Sequence, residues 1–291
     1  MKYITISDLS NTIRNNLWKI PRDIDVIVGI PRSGMIVAEI IAEYLNLPCV
    51  DIDNYVSGCT EGVGGGRLRY VSNRKKYNRV LVVDDTVFTG ISKEKAKKQL
   101  KEIDSSVTFI FLVAYLEGYA INTIDIFLED VRQYTNNYKE PVLYEWNIFH
   151  HNEATMISCI YDLDGVLCIE PPDERNTKEY EEYIKNAIAL FCPTTTIGAI
   201  QTFRLNKYRN ETADWLEKNG IKYNRLIMFN AGSWDERNES GVSSSQYKAA
   251  YYGQQGWAKL FIESSDIQAR EIHQYTKKPV YSVERNCLYS V

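Results

Sequence analysis

The stretch VLVVDDTVFTG at residues 80–90 determines the fold of the first half of the chain. Four apolar residues precede two carboxylates and a short loop, and a helix capped by Ser92 follows. This order is typical of a parallel strand that ends at the ligand-binding edge of an α/β sheet. We expect the backbone amides of residues 86–90 to surround a phosphate group, helped by the N-terminus of the following helix.

The side chains of this stretch suit a phosphorylated ribose. Thr89 adds a hydroxyl donor, and Gly90 allows the backbone to approach closely. Asp84 and Asp85 are placed to accept hydrogen bonds from ribose hydroxyls, directly or through Mg²⁺. A solvated acidic turn is the alternative for an isolated pair of aspartates. The predicted binding residues of the stretch are Asp84, Asp85, Thr86, Val87, Phe88, Thr89 and Gly90.

The whole string resembles the motif of type I phosphoribosyltransferases that binds 5-phosphoribosyl 1-pyrophosphate (PRPP). An upstream match is VGIPRSG at residues 28–34, which follows a strand and opens a helix. In that family this loop holds the pyrophosphate of PRPP, a role that the resemblance gives to Arg32, Ser33 and Gly34. Arg32 would stabilise the charge on the leaving pyrophosphate. Ser33 as an ordinary helix cap is compatible with the same loop.

Other segments resemble further parts of this family. Residues 56–70, VSGCTEGVGGGRLRY, have the glycines of a loop that closes over the site, with Arg67 and Arg69 to bind phosphate. A solvent-exposed linker is the alternative. YEWNIFHH at residues 144–151 resembles the hood segment that covers the acceptor.

Position 88 departs from the pattern of the 6-oxopurine branch of the family. In that branch an acidic residue precedes the Thr-Gly pair and serves the purine ring, whereas this chain has Phe88. A purine acceptor is therefore disfavoured, and the general base stays open. The candidate bases are Asp51, Asp53, Glu61, Glu117 and Glu145.

A second carboxylate pair occurs in ISCIYDLDGVLC at residues 157–168. Asp162 and Asp164 follow a buried strand, and their i, i+2 spacing lets both project into one site. Asp162 is placed to attack phosphorus and carry it as an acyl phosphate. Asp164 is placed to protonate the leaving oxygen and then to activate water, with Mg²⁺ holding Asp162 against the substrate. A Ca²⁺ loop or a plain turn is the alternative for an isolated DxDG.

This pair resembles the first motif of the haloacid dehalogenase-like (HAD) hydrolases. The resemblance extends to a strand-ending Thr202 in AIQTFR, to a lysine, for which we prefer Lys248 over Lys259, and to the acidic pair in FIESSD. An aspartate is more usual where Glu263 stands. The chain between these motifs is too short for a large cap domain. The resemblance implies catalytic Asp162, Asp164, Thr202 and Lys248, and metal ligands Asp162, Asp164, Glu263 and Asp266, besides Asp84 and Asp85 in the first half.

Apolar, β-branched runs alternate with helical patterns along the whole chain, which predicts an α/β fold. We expect two domains, residues 1–153 and 154–291, each a mainly parallel sheet flanked by helices. The first is a type I phosphoribosyltransferase fold and the second a capless HAD-like fold. The polar stretch HHNEAT at residues 150–155 marks the predicted boundary. Strands are predicted at residues 25–30, 80–83, 107–115, 124–128, 156–161, 196–202, 226–230 and 259–263.

The composition fits a globular protein of two domains. The chain has 291 residues, of which 44% are hydrophobic, and a formal net charge of −4. Its pI of about 5.6 disfavours nucleic-acid binding as the main function. The N-terminus has no apolar core typical of a signal peptide, and no apolar run predicts a transmembrane segment. The six scattered cysteines predict reduced thiols in a cytoplasmic protein.

These features together predict sequential chemistry. The first domain would transfer 5-phosphoribosyl from PRPP to an acceptor, and the second would then remove the 5-phosphate. The arrangement resembles phosphoribosyltransferase–phosphatase pairs associated with bacterial surface polysaccharides, which implies a glycan acceptor, free or lipid-linked, and a β-ribofuranoside product. The alternatives are a nucleobase phosphoribosyltransferase with an attached nucleotide phosphatase, or a PRPP-sensing regulator. An oligomer is compatible with each.

Overall fold

A computed structural model describes residues 1–59, 77–101, 106–135 and 140–290. The chain divides into two compact units, Lys2–Trp146 and Asn147–Val291. The α/β class with parallel sheets flanked by helices is confirmed. The division falls before the predicted domain boundary at residue 153, and the domain limits themselves stay a prediction. Within the described ranges, no helix has the length and apolar character needed to cross a membrane.

The first unit is built on a five-stranded parallel sheet. The described strands of the unit are β1 (Lys2–Ile4), β2 (Val26–Gly29), β3 (Cys49–Asp51), β4 (Arg79–Val87), β5 (Thr108–Leu116), β6 (Ile126–Asp130) and β7 (Val142–Tyr144). Its helices are α1 (Ile6–Asn16), α2 (Ser33–Leu45), α3 (Ile52–Val56) and α4 (Ile91–Lys101). The sheet order is β3-β2-β4-β5-β6, and β1 pairs with β7 separately.

Strand β4 is covered on both faces, as expected for the centre of a parallel sheet. Leu81 and Val83 pack with α1 and α2 in one apolar cluster. Val80 and Val82 point the other way and pack with α4 in a second cluster. This alternation buries the apolar run completely, so the polar residues that follow it emerge at the carboxyl edge of the sheet.

The second unit contains a six-stranded sheet. Its strands are β8 (Cys159–Tyr161), β9 (Ala199–Leu205), β10 (Leu226–Phe229), β11 (Leu260–Glu263), β12 (Val280–Ser282) and β13 (Cys287–Tyr289). Its helices are α5 (Glu153–Met156), α6 (Thr177–Asn186), α7 (Arg209–Lys218), α8 (Trp234–Glu239), α9 (Ser244–Gln254) and α10 (Asp266–Thr276). The order is β10-β9-β8-β11-β12-β13, and all pairs are parallel except β12 with β13.

Strand β8 lies at the centre of this sheet, between β9 and β11. The carboxyl ends of these parallel strands lie at one edge, so the residues that follow β8 and β11 lie close together. Helix α6 is the α-helix between Asp164 and Thr202. The interval therefore has the single helix that its length predicts.

Candidate active sites

In the first unit, the start of α2 is packed directly against the end of the apolar run of β4. Ile30 N donates to Val83 O at 2.9 Å. A Cβ atom on Gly34 would lie 2.7 Å from Val83 O and 3.0 Å from Asp84 Cα. Glycine is needed here because any side chain would force the helix away from the strand. The backbone thus brings the segment VGIPRSG and Asp84 together.

Strand β4 extends farther than the sequence indicates. It continues to Val87 because its last two residues pair with β5. Thr86 N donates to Asp85 Oδ1 at 2.8 Å, so this amide already has an acceptor. Thr86 and Val87 lie in the strand rather than in the predicted loop. The segment between strand and helix narrows to residues 88–90.

The loop at residues 88–90 packs tightly on one side and is exposed on the other. A Cβ atom on Gly118 would lie 2.2 Å from Phe88 O, so a glycine is needed where the two segments meet. Gly90 adopts a φ of 81°, a left-handed conformation that glycine tolerates. Phe88 and Thr89 are exposed. Their side chains are accessible to a ligand.

Three buried or half-buried carboxylates lie near the end of β4. Asp85 is 6% exposed, and its Oδ2 accepts a 2.7 Å hydrogen bond from Trp146 Nε1. Burial and the charge of Asp85 raise the pKa of Asp84 well above its usual value. Burial and Asp85 likewise raise the pKa of Glu117 to about 7, and Tyr144 Oη lies 3.5 Å from Glu117 Oε2. The cluster carries excess negative charge.

The candidate bases of the first unit have different environments. Asp51 accepts from an amide of α3 at 2.9 Å, and Glu145 accepts from the first amide of α1 at 2.7 Å. Asp53 is exposed. Glu117 is the buried one, and it lies beside Asp85. Glu61 lies outside the described residues.

The two segments predicted to cover this site have different outcomes. Most of the predicted closing loop at residues 56–70, including Arg67 and Arg69, lies outside the described residues. The hood segment contributes Trp146, whose indole donates to Asp85. Arg32 is exposed at the start of α2.

In the second unit, one lysine joins two carboxylates. Asp162 follows β8, and its amide donates to Ile262 O of β11 at 2.9 Å. Lys248 Nζ lies 2.7 Å from both Asp162 Oδ2 and Glu263 Oε2. All three side chains are buried, whereas Lys259 is exposed. The structure therefore brings the preferred lysine, and not its alternative, to Asp162.

The charge of this cluster is only partly balanced. Burial, followed by repulsion from Glu263, raises the pKa of Asp162 well above its usual value, although Lys248 opposes the shift. Two buried carboxylates share one ammonium, so the excess negative charge must be met by a proton or by a further cation. Such a site attracts a further cation.

Asp164 has a cationic partner of its own. Burial would raise its pKa, but the Arg204 guanidinium lowers it below the usual value. Arg204 Nη2 lies 2.5 Å from Asp164 Oδ1, and Tyr183 Oη donates to the same oxygen at 2.8 Å. Thr202 Oγ1 donates to Asp164 Oδ2 at 3.3 Å. Thr202 lies inside β9 rather than at its end, because the strand continues to Leu205.

Asp266 does not join the carboxylates of this cluster in the structure. Its Oδ1 accepts from Tyr289 Oη at 2.5 Å, and its Oδ2 forms a 2.6 Å salt bridge with Arg270. The predicted role of Asp266 as a metal ligand is therefore not supported by its contacts. Its position at the start of α10 explains the difference, because the side chain there contacts β13 and its own helix.

Sequence reasoning missed three residues of this site: Arg204, Tyr183 and Glu170. Arg204 had a signal, because it stands two residues after Thr202 and the side chains of a strand alternate. Tyr183 lies on α6, and nothing in the sequence ties it to Asp164. Glu170 Oε1 would lie 2.1 Å from a Cβ atom on Gly165, so its carboxylate borders the DLDG loop.

Both sites have carboxylate oxygens, which are suitable ligands for Mg²⁺. Among the described residues, no group of at least three His, Cys, Asp and Glu side chains is arranged to hold a metal ion. Mg²⁺ often binds through one or two carboxylates and keeps several water molecules, so fewer protein ligands suffice. Asp84 and Asp85 would hold it in the first unit, and Asp162 and Glu263 in the second. Asp164, also predicted as a ligand, has both oxygens paired with Arg204 instead. Burial and the repulsion of a neighbouring carboxylate raise the pKa of Asp84 and of Asp162, and a bound cation would relieve both effects.

The parallel sheet, the close packing of α2 on β4 and the carboxylates near the end of β4 define an α/β domain with an anionic site. Residues 3–140 match the family described as a phosphoribosyl transferase domain. The first unit is therefore a phosphoribosyltransferase domain. No curated protein matches the chain.

Three solved structures illustrate how remote the structural likenesses are. Purine phosphoribosyltransferase from Pyrococcus horikoshii is 18% identical, with 50% of this chain and 92% of that chain covered and a TM-score of 0.35. Orotate phosphoribosyltransferase from Aeropyrum pernix is 20% identical, with 46% and 75% covered and a TM-score of 0.32. A chain of the Pnkp1/Rnl/Hen1 RNA repair complex is 13% identical, with 89% and 94% covered and a TM-score of 0.33. Likenesses this remote carry no information on activity.

Proposed function

We propose that the chain is a bifunctional enzyme. The first unit transfers 5-phosphoribosyl from PRPP to an acceptor hydroxyl, and the second unit acts as a HAD-type phosphomonoesterase that removes the 5-phosphate. The observation that carries the second activity is the convergence of buried and half-buried polar side chains from separate elements at the end of β8. They are Asp162, Asp164, Thr202, Lys248 and Glu263.

In the transfer step, the bond from ribose C1 to pyrophosphate breaks and a bond from C1 to the acceptor oxygen forms. Arg32 and the start of α2 bind the pyrophosphate, and Asp84 and Asp85 bind the ribose hydroxyls. The acceptor proton goes to a base, for which the buried Glu117 beside Asp85 is the described carboxylate that fits best. Since PRPP is the α-anomer, a single inversion gives a β-linked product.

In the hydrolytic step, an oxygen of Asp162 attacks phosphorus and the ester oxygen leaves with a proton from water, because the ion pair with Arg204, despite burial, lowers the pKa of Asp164 and keeps its carboxylate ionised. Water, activated by Asp164, then releases inorganic phosphate and restores Asp162. Lys248 holds Asp162 in place and reduces the repulsion between its carboxylate and the phosphate. Mg²⁺, when bound, supplies additional positive charge for the phosphoryl oxygens.

The proposed acceptor is a glycan, free or lipid-linked. Phe88 and Tyr119 form an exposed aromatic pair, with ring centroids 5.7 Å apart, beside the loop after β4. Such rings offer an apolar surface for a sugar, and this position lacks the acidic residue that would serve a purine. The short interval between Asp164 and Thr202 leaves no room for a large cap, which suits a bulky substrate.

Pyrophosphate release tests the acceptor. The protein is mixed with PRPP and Mg²⁺ and with either a glycan or free nucleobases. We expect release with the glycan. Release with nucleobases alone would contradict the glycan acceptor, and tight PRPP binding without release on any acceptor would favour a PRPP-sensing regulator instead.

A further inference from the structure

Arg204 is a buried cation in the second unit that the proposed chemistry leaves without a role. It is 2% exposed and lies on β9, two residues beyond Thr202. Because side chains alternate along a strand, both residues face the same side of the sheet. Arg204 therefore shares the face from which Thr202 reaches Asp164.

The Nε and Nη2 atoms of the Arg204 guanidinium both have hydrogen-bond partners within the protein. Nε lies 3.1 and 3.0 Å from the two oxygens of Asp164, and Nη2 lies 2.5 Å from Oδ1. Nη2 also lies 3.3 Å from Tyr183 Oη and 3.4 Å from Cys168 Sγ. This bidentate geometry holds the Asp164 carboxylate in one orientation.

The remaining nitrogen of the same guanidinium is unpaired. Nη1 is buried and has no hydrogen-bond partner among the described residues. A buried charged donor without an acceptor is costly, and native proteins rarely leave one without a reason. An ion pair that only neutralised Asp164 would not explain a donor left over on the side that Asp164 does not occupy.

The surroundings indicate which acceptor would satisfy it. The other polar groups on Asp164 and Asp162 are also donors: Thr202 Oγ1 donates to Asp164, and Lys248 Nζ donates to Asp162. A ligand that accepts from several donors at once, next to a carboxylate nucleophile, is a phosphoryl group. Guanidinium is well matched to phosphate oxygens.

We propose that Arg204 is a phosphate-binding residue. Its Nη1 donates a hydrogen bond to an oxygen of the substrate phosphoryl group, while Nε and Nη2 donate to Asp164. This role rests on the proposed phosphatase function. It adds a second cation beside Lys248 and ties the orientation of Asp164 to phosphate binding.

Binding of inorganic phosphate, the product, tests this role without relying on turnover. Isothermal titration calorimetry on the full chain with Mg²⁺ compares Asp164→Asn with the double variant Arg204→Met/Asp164→Asn. The double variant removes both charges of the pair, so no buried charge is left uncompensated. We expect the double variant to bind phosphate at least about 10-fold more weakly than Asp164→Asn, since a charge-assisted hydrogen bond is lost.

Tyr183→Phe is the matched control, because it removes a neutral donor to Asp164 and leaves Nη1 in place. Its phosphate affinity should remain within about threefold of wild type. Equal affinity of the Asp164→Asn and double variants, with wild type still hydrolysing phosphomonoesters, would overturn the role of Arg204 alone. A wild-type protein that neither binds phosphate nor hydrolyses any phosphomonoester would overturn the phosphatase function, and the role of Arg204 with it.

Discussion

The two sites differ in how the chain balances their charge. In the second unit, each main carboxylate has a buried cationic partner. Lys248 joins Asp162 and Glu263, and Arg204 holds Asp164. These ion pairs fix the side chains in place before any substrate arrives.

In the first unit, no described cation forms a salt bridge with the carboxylates at the end of β4. Burial and the neighbouring charge of Asp85 raise the pKa of Asp84 and of Glu117 instead. The difference is that the carboxylates of the second site have cationic partners within the protein, whereas those of the first site have no described cationic partner. PRPP binding with Mg²⁺ should therefore organise the first site more than phosphate organises the second.

The largest expected effect comes from Asp84→Asn/Asp85→Asn. Loss of both carboxylates removes the proposed ribose and metal contacts, so pyrophosphate release should fall by at least about 10³-fold. Phosphatase activity on added phosphoribosyl product should persist. Asp53→Asn, at an exposed position, is the control and should retain transfer. Loss of both activities in the double variant would contradict the separation of the two sites.

Removing the cation of the second site should destabilise that unit. Lys248→Met leaves Asp162 and Glu263 buried and unpaired, at a cost of about 3–5 kcal/mol in the free energy of unfolding. Mg²⁺ should recover part of this loss, because it supplies the missing positive charge. Urea unfolding with and without Mg²⁺ measures both effects. The exposed Lys259→Met should change stability by less than about 0.5 kcal/mol, and equal stability of the two variants would contradict the account.

The first site should show its charge imbalance as a pH dependence. The pKa of Glu117 is raised from 4.5 to about 7, so its contribution to stability is fully present below pH 4.5 and is lost as the pH rises through 7. Glutamine cannot ionise, so Glu117→Gln should not lose stability as the pH rises through 7. Relative to wild type without Mg²⁺, the variant should gain up to about 3 kcal/mol between pH 4.5 and pH 8. Urea unfolding at the two pH values measures this difference, and a gain that does not change with pH would show that Glu117 titrates normally.

The smallest effect concerns the backbone contact of the first site. Gly34→Ala places a Cβ atom 2.7 Å from Val83 O, and the resulting shift of α2 should cost about 1–3 kcal/mol and raise the KM for PRPP. Gly253→Ala is the matched control, because its Cβ atom meets nothing closer than Thr276 Cγ2 at 3.6 Å. In helix α9 that change should stabilise by about 0.5–1 kcal/mol. Thermal unfolding measures the stability of Gly34→Ala, and PRPP titration of the activity measures its KM. If both equal the wild-type values, Gly34 is not needed for the close packing of α2 on β4.

Much of the fold could be predicted because the apolar runs are long and regular. The run at residues 80–83 is buried on both faces, and its pattern alone indicates a central parallel strand. Its true end at Val87 could not be predicted, because pairing with β5 decides it. Strand ends depend on partners that the local sequence does not contain.

Site residues could be predicted where a sequence motif determines which partner the side chain contacts. They could not be predicted where packing between distant residues determines that partner. Lys248 reaches Asp162, but Asp266 contacts Tyr289 from a strand near the end of the chain. Glu117 could not be ranked above the other candidate bases, because its burial depends on Tyr144 and other distant residues. The spacing of Arg204 from Thr202 places both on one face of the strand, but its contact with Asp164 depends on packing between strands.

We propose that both sites act on one molecule in sequence. Mass spectrometry of the product that Asp162→Asn forms from PRPP and the acceptor tests it most directly. Asp162→Asn removes the proposed nucleophile and leaves the first unit unchanged. We expect a ribosylated product one phosphate heavier than the wild-type product. Identical masses from the variant and the wild type would contradict it.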